Sequence, residues 1–315
     1  MEASGMTGRE QLLDQLRPLA FRVAYRMLGS VSEAEDIVQE ALLRVHQALD
    51  DGQAIASPEA FVTTIASRLA IDELRSARAR RELYVGEWLP EPLVTDDPAD
   101  PARQAETADS ISMAMLLVLE SLSPEERAAF LLHDAFDYSY REIAPIIGKN
   151  EANARQLASR ARRHVAEHRP RFQTTRDHQE ELARRFFAAA ESGDLAELEA
   201  LLADDVVLTG DGGGKAPALA RALSGRSRVA SVLRNWSAAR ARIEGGISFH
   251  LVEINGGPGA LALDAKHRVM AALSIEIADG QIHQVMSVVN PDKLAHIGEV
   301  ANLGEMLRGG AESEN

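Results

Sequence analysis

Residues 122–165 carry two helix starts and a turn at fixed spacing, and they leave the backbone fewer choices than the rest of the chain. Ser123 is followed by Pro124 at the first helical position and by Glu126 three residues on; Ser139 stands in the same relation to Glu142. In such a box the hydroxyl accepts from the third helical N–H and the carboxylate reaches back to the cap's own N–H, so donors that a helix start leaves orphaned are satisfied. Gly148 supplies a positive-φ turn and Asn150 can cap the next helix. Ala154, Leu157, Ala158, Ala161 and Val165 then fall on one helical face, which predicts a core face. This is the plan of a helix-turn-helix. Asn153, Gln156, Arg160 and Arg163 lie to one side of that face and Arg155 and Arg162 to the other, so amide and guanidinium groups line the surface that a major groove would meet. A solvated basic helix in a bundle is the alternative.

The chain of 315 residues exceeds the usual size of one domain, and 45% hydrophobic with 26% charged residues is ordinary for a globular protein that builds its own cores. Cysteine is absent, which excludes disulfides, thiolate metal sites and cysteine nucleophiles and suits a reducing cytoplasm. No apolar run approaches the ~18 residues of a membrane span, and Met1–Gly5 lacks the basic start and apolar stretch of a signal peptide. The expectation is therefore a cytoplasmic protein with no membrane contact, no metal and no cofactor. A net charge of -14 runs against DNA binding, because contacts to phosphate supply most nonspecific affinity. The positive charge is local, in one cluster of Arg75, Arg78, Arg80 and Arg81 and another from Arg155 to Arg171. Such a protein binds free DNA poorly and does better when something else delivers it.

Three helices are expected before residue 84. Leu12, Leu13, Leu16, Ala20, Val23 and Met27 repeat at helical spacing up to Gly29; Ser32 with Glu35 forms a capping box opening a second helix through Ile37, Val38, Ala41, Leu42 and Val45. After a loop, Ser57 and Pro58 start a third, with Phe61, Ile65, Leu69 and Leu74 inward. Residues 88–101 hold four prolines and several acids, so neither helix nor sheet is expected there, and the stretch reads as a linker. Helices resume near Ala105 and continue to about Ala166. Past residue 177 the pattern becomes α+β: helices at about 178–191 and 195–202, a helical reading of 217–243, and strand-like runs at Val206–Thr209, Ile247–Ile254, Gly259–Leu263, Arg268–Ile277 and Gln281–Asn290. The tail after Leu307 reads as disordered.

With Ser32–Val45, then Ile65–Arg75, then the helix-turn-helix, the chain resembles a bacterial sigma factor of the extracytoplasmic-function type over most of residues 10–170. The resemblance implies two all-α sigma domains, a region 2 three-helix bundle (8–84) and a region 4 helix-turn-helix (107–172), joined by a Pro/acidic linker (85–106). It implies core RNA polymerase and promoter DNA as partners. Asp36, Gln39, Glu40 and Arg44 share the outer side of the second helix and would face polymerase, offering mixed charge. Arg68, Arg75, Arg78, Arg80 and Arg81 would hold phosphates near the minus-10 element, with loop Asp50–Ala56 at the place where this family captures a flipped base. Asn153, Arg155, Gln156, Arg160 and Arg163 would read minus-35. Two departures stand out: Leu157 occupies a position where many relatives place arginine, and Pro145 removes a backbone donor just before the turn and is expected to kink its helix.

Residues 177–307 resemble the SnoaL-like cone fold, an α+β domain around a pocket, followed by a disordered tail at 308–315. Three pieces look like those of sigma factors that carry this extension: Trp88-Leu-Pro-Glu-Pro92, with Trp88, Pro90 and Pro92 as contact residues; Asp211, Gly212, Gly213, Gly214 and Lys215; and Asn290, Pro291, Asp292, Lys293 and Leu294. In such relatives the extension modulates the sigma factor in cis, in place of a separate anti-sigma protein, and the chain is not an enzyme. As residues, Asp211–Lys215 form a glycine turn between opposite charges, lacking the spacing and the Ser or Thr of a phosphate loop; a hairpin or domain-contact loop fits better. The main alternative is a sigma factor fused to a ligand-sensing or enzymatic domain, with His250, His267, His283 and Asp264 as acid–base groups of a cyclase-like or isomerase-like reaction. That reading requires a pocket lined by at least two of these four; a filled, apolar cone counts against it. A lesser alternative is a conventional one-motif regulator whose N-terminal helices only dimerise.

Overall fold

Gly29, at φ +66°, ends the first helix and throws the chain into the second after a single residue. In the computed structural model of the protein, which describes residues 8–81, 83–95, 111–168, 175–240, 246–301 and 303–304, helices α1 (Gly8–Leu28), α2 (Val31–Asp50) and α3 (Pro58–Arg81) make up the N-terminal part. The cap of α2 is Ser30, whose hydroxyl accepts from Glu33 N–H, so the expected Ser32–Glu35 box is corrected: Ser32 lies inside the helix and Glu35 takes an ion pair from Arg17 at 2.6 Å. Ser57 caps α3 as expected, accepting from Ala60 N–H at 3.2 Å. The inward face of α3 is also corrected. Val62, Thr63, Ala66, Ser67, Ala70, Ile71 and Leu74 are buried, while Phe61, Ile65 and Leu69 are only half-buried. The buried face of this helix is thus built mostly of small side chains, with the larger ones at its margin.

Helices α4 (Met113–Glu120), α5 (Pro124–Asp134), α6 (Tyr140–Ile146) and α7 (Glu151–His168) follow. Both expected capping boxes are present, Ser123 with Glu126 and Ser139 with Glu142. After α6, Lys149 N–H donates to Ala144 O across Gly148 (φ +67°), and Asn150 Oδ1 accepts from Asn153 N–H at 2.8 Å, as the sequence predicts for that turn. Ala154, Ala158, Ala161 and Val165 are fully buried; Leu157, expected with them, is half-buried at the edge of the face. Residues 105–110 of the expected helical stretch lie outside the described residues.

The chain divides into two compact units. The first contains α1, α2, nearly all of α3, and the helices from Met115 to His168. The second contains residues 81–95 and 112–114 together with the chain from Thr175 onward. Its elements are α8 (Arg176–Ser192), α9 (Leu195–Leu201), α10 (Arg226–Arg240), the short α11 (Pro291–Leu294) and a seven-stranded sheet. The strands are β1 (Val94–Thr95), β2 (Leu202–Asp211), β3 (Leu223–Ser224), β4 (Ile247–Ile254), β5 (Gly257–Asp264), β6 (Val269–Ala278) and β7 (Gln281–Val288), in the order β1-β4-β5-β6-β7-β2-β3. All neighbours are antiparallel except β2 with β7. Phe186, Phe187, Leu198, Leu233, Leu273 and Val285 are among the residues of the core between helices and sheet.

Two further expectations change here. The helical reading of 217–243 holds for Arg226–Arg240, residues 217–225 form a loop and the short β3, and 241–243 lie outside the described residues. Within the expected linker, Val94–Thr95 is a strand paired with Ile254 and Glu253 on the edge of β4, and Leu89 to Leu93 are buried. Proline excludes the interior of a sheet but tolerates an edge, and here both prolines precede the paired residues.

Candidate functional site

On α2 the apolar face, Val31, Ala34, Ile37, Val38, Ala41 and Val45, is buried, which leaves Asp36, Gln39 and Arg44 exposed and Glu40 half-buried on the opposite side. Arg44 and Glu40 form an i,i+4 pair at 2.7 Å. Leu43 lies among them and is 51% exposed. The sequence reading, which placed Leu42 in the apolar repeat, does not single it out, and its position puts an exposed leucine within a polar face.

The arginines of α3 are engaged within the first unit. Arg68 donates to Pro145 O at 3.0 Å, and Arg75 pairs with Glu125 at 2.6 Å and with Asp72 at 3.0 Å. The hydrogen bond to Glu125 raises the Arg75 pKa; burial pushes the Glu125 carboxyl up, but the bond from Arg75, a backbone hydrogen bond and the charges of Arg75 and Lys149 together hold the group below its ordinary value. The side chains of Arg78, Arg80 and Arg81 lie outside the described residues. On α7, Asn153, Arg155, Gln156, Arg160 and Arg163 are all exposed on the flanks of the buried alanine face. Arg155 pairs with Glu151 at 3.1 Å and stacks over the Tyr140 ring; Arg160 pairs with Glu126 at 3.2 Å. α7 therefore presents amides and guanidinium groups, partly neutralised by Glu151 of its own first turn and by Glu126 of α5.

Arg127, unremarked in the sequence, holds this unit together. It is 2% exposed and donates to Met27 O, in the last turn of α1, and to Leu119 O, in the last turn of α4, while pairing with Glu120 at 2.9 Å. Burial lowers its pKa to about 9, so it is charged at neutral pH.

In the second unit the three short motifs meet. Asp211, at the end of β2, is fully buried. Its carboxylate accepts from Tyr84 O–H at 2.6 Å, Leu89 N–H at 2.8 Å, Lys293 Nζ at 2.7 Å and Gly213 N–H at 3.0 Å. Lys293 is 6% exposed; it also donates to Leu89 O and sits over the rings of Tyr84 and Trp88. The Asn290 amide donates to the Tyr84 hydroxyl oxygen at 2.9 Å, and its Oδ1 caps α11 by accepting from Asp292 N–H. The rest of the segment is fastened by Asn255, which exchanges hydrogen bonds with the Leu93 backbone, and by His296, which donates to Pro92 O at 2.8 Å. Burial first, then the bond to Asp211, pushes the Tyr84 hydroxyl well above its ordinary pKa, so it remains a proton donor.

The loop after Asp211 has positive φ at Gly213 (+56°) and Gly214 (+71°), and a Cβ on Gly213 would overlap the Asn290 amide. Of the predicted contact residues, Trp88, Asp211, Gly213, Asn290 and Lys293 are brought into mutual contact, and Pro90 and Pro92 lie buried in the same segment. The charges flanking the glycine turn do not pair with each other. Lys215 pairs with Asp292, and Asp211 with Lys293.

The same unit contains a cavity of about 200 Å³ lined by Phe186, Trp236, Phe249 and Leu273 among others. None of His250, His267, His283 and Asp264 lines it, so the condition set for the alternative acid–base reading is not met in this cavity. Asp264 is held by Arg268 at 2.7 Å and by the backbone of residues 266 and 268, and His283 pairs with the exposed Asp205. Among the described residues no group of three His, Cys, Asp or Glu side chains is arranged to hold a metal ion, and no helix is long and apolar enough to cross a membrane.

A polar-faced three-helix unit followed by a capped helix-turn-helix is the arrangement of sigma-70 proteins. The chain matches sigma-70 region 2 over residues 12–80 and sigma-70 region 4 over residues 112–165. It is 40% identical over 290 residues to the ECF RNA polymerase sigma factor SigJ of Mycobacterium tuberculosis, covering 89% of this chain and 91% of the relative. It is also 30% identical to the probable ECF sigma factor SigI of the same organism, covering 86% of this chain and 90% of the relative. The crystal structure of SigJ superposes with a TM-score of 0.72 at 37% identity, covering 90% of this chain and 96% of that one. The chain belongs to the extracytoplasmic-function RNA polymerase sigma factors, proteins of promoter-specific transcription initiation, and its second unit is an α+β domain.

Proposed function

We propose that this sigma factor binds core RNA polymerase through the outer face of α2, contacts the minus-10 element through the arginines of α3 and the minus-35 element through α7, and is set in cis by its own second unit. Asp36, Gln39, Glu40 and Arg44 surround the exposed Leu43, a mixed polar face with an apolar centre of the kind that serves a protein partner. Asn153, Arg155, Gln156, Arg160 and Arg163 supply groups for base edges and phosphates. The protein acts in the cytoplasm and is not itself an enzyme, a reading supported by its sigma-70 regions and its likeness to SigJ.

The observation that carries regulation in cis is the buried Asp211 carboxylate. It gathers Tyr84, Leu89 and Lys293 around one charge and so ties down the segment that leaves α3, three residues past its end. A segment held this way fixes where the minus-10 helix ends and where the connection to region 4 begins. Regulation through this clamp takes the place of a separate anti-sigma protein.

Promoter-specific run-off transcription with core polymerase tests the reading. Asp211→Asn and Lys293→Met are expected to change transcript yield while co-elution with core polymerase persists. Unchanged yield from both variants overturns regulation through the clamp.

A further inference from the structure

The cavity and the clamp share strand β2 and the segment that leaves β7. Gly210 lines the cavity wall and the next residue, Asp211, is the centre of the clamp; Val289 lines the wall and the next residue, Asn290, holds Tyr84. Successive residues of a strand point to opposite faces, so β2 has Gly210 in the cavity wall and Asp211 in the clamp; the two residues after β7 are divided in the same way. The loop between them repeats the arrangement: residues 211–215 belong to the clamp, while Pro217 and Ala218 line the cavity. At Gly210 a Cβ would press on Leu219 N at 3.3 Å, which shows how closely this loop folds back on β2.

The chemistry of the wall is uniform. Phe186, Trp236, Phe249 and Leu273 are apolar, and no ionisable side chain lines the cavity. Its polar side chains are two serines. Ser237 already donates to Glu191 O at 3.1 Å, and Ser287, in register between Gly210 and Leu273, makes no hydrogen bond with its hydroxyl among the described residues. An apolar cavity on the order of 150 Å³ stays dry and accepts one aromatic ring; at about 200 Å³ this one has room for a ring with a short substituent. A single hydroxyl on an otherwise apolar wall orients such a ligand through one hydrogen bond.

We propose that this cavity binds a small, neutral, one-ring molecule carrying a single hydrogen-bonding group, and that its occupancy is transmitted to the Asp211 clamp. The second half rests on the reading of the clamp as a regulator; the first half does not. An occupant pressing on Gly210, Pro217 and Ala218 moves the backbone that positions Asp211, and with it the hold on Tyr84 and Leu89.

The two tryptophans make the test direct, because Trp236 lines the cavity and Trp88 sits in the clamp. In the full chain carrying Trp88→Phe, cyclohexanol and toluene are titrated against Trp236 emission, with cyclohexanecarboxylate as the charged control. Saturable changes with the two neutral probes and none with the carboxylate are expected; Ala262→Leu and Ser237→Leu, which fill the cavity from the sheet and from α10, should abolish them. Failure of both neutral probes to saturate overturns the site, as does retained binding in a folded filling variant. In the full chain carrying Trp236→Phe, saturating cyclohexanol is expected to shift Trp88 emission. Binding with no shift of Trp88 overturns the coupling alone. Neither titration uses transcription, so the site can stand or fall separately from the clamp's role at the promoter.

Discussion

Asp211 and Lys293 form an ion pair with almost no access to water, and Asp211 has four donors around it. Removing one partner of such a pair leaves the other as an uncompensated buried charge, at a cost of about 3 kcal/mol. Asp211→Asn is therefore expected to destabilise the second unit by about that amount. The double variant Asp211→Asn/Lys293→Met should lose clearly less than the sum of the two single changes, a coupling that chemical denaturation of all four proteins measures. Additive losses would contradict a coupled pair. Glu276 makes the opposite case. Buried on β6, with its carboxylate toward Ala114 N–H at 3.4 Å, it has its pKa raised by desolvation from 4.5 to about 7. A raised carboxyl pKa means that the folded state holds the proton more tightly than the unfolded state. Its contribution is fully present below pH 4.5 and is lost as pH rises through about 7. Glu276→Gln should flatten this dependence, so that its melting temperature exceeds that of the natural sequence by more at pH 8 than at pH 5. The sequence made Asp211, Lys215 and Lys293 visible as members of short motifs, but it could not show which cation meets which anion. Tyr84, Asn255 and His296 carried no signal, because a lone polar residue acquires its partner only from the tertiary fold.

At the scale of elements, capping chemistry was legible where one candidate stood alone and ambiguous where two competed. Ser123 and Ser139 each have one glutamate at the right distance, and both boxes form. Ser30 with Glu33 and Ser32 with Glu35 satisfy the same spacing two residues apart. The choice between them comes from Gly29, which ends α1 immediately before Ser30, and from Arg17, which takes Glu35. The face of α3 was misread for a related reason: periodicity weights large apolar residues, whereas close helix packing selects small ones. Arg127 lay outside any pattern because it acts as a C-terminal cap for two helices at once, and carbonyls at a helix end have no intrahelical donor. Arg127→Met should leave the Met27 and Leu119 carbonyls buried and unsatisfied, lowering the stability of the first unit by about 3 kcal/mol. Arg127→Lys, which keeps the charge but lacks the planar fork, should recover less than half of the loss, as read by urea unfolding. Full recovery with lysine would show that charge, not two-helix capping, is what matters.

For the whole molecule, the order of the helices and the α+β change near residue 177 followed from the sequence, whereas the meeting of the three motifs and the state of the nucleic-acid groups did not. A net charge of -14 leaves little long-range attraction for DNA, and the cations assigned to it are partly occupied within the first unit. Arg75 is held by Glu125, Arg160 by Glu126, and Arg68 by Pro145 O. A phosphate must displace these partners, so promoter binding on the proposed reading includes an exchange of internal for external contacts. The magnitude is modest. An exposed ion pair of this type contributes about 0.2–1 kcal/mol, which converts to at most a roughly fivefold change in affinity. Glu125→Gln removes the competing charge without changing the shape of the contact, and it should tighten binding of the reconstituted holoenzyme to promoter DNA by up to about fivefold at low salt. The gain should shrink as salt rises, because both the internal pair and the phosphate contact are screened. Fluorescence anisotropy of a labelled promoter fragment at two salt concentrations reads both effects, with Glu181→Gln, which frees an arginine of the second unit from its pair, as the control for a simple change in net charge. Equal gains from the two substitutions would mean that overall charge sets the affinity and that Arg75 has no privileged role in reaching the DNA.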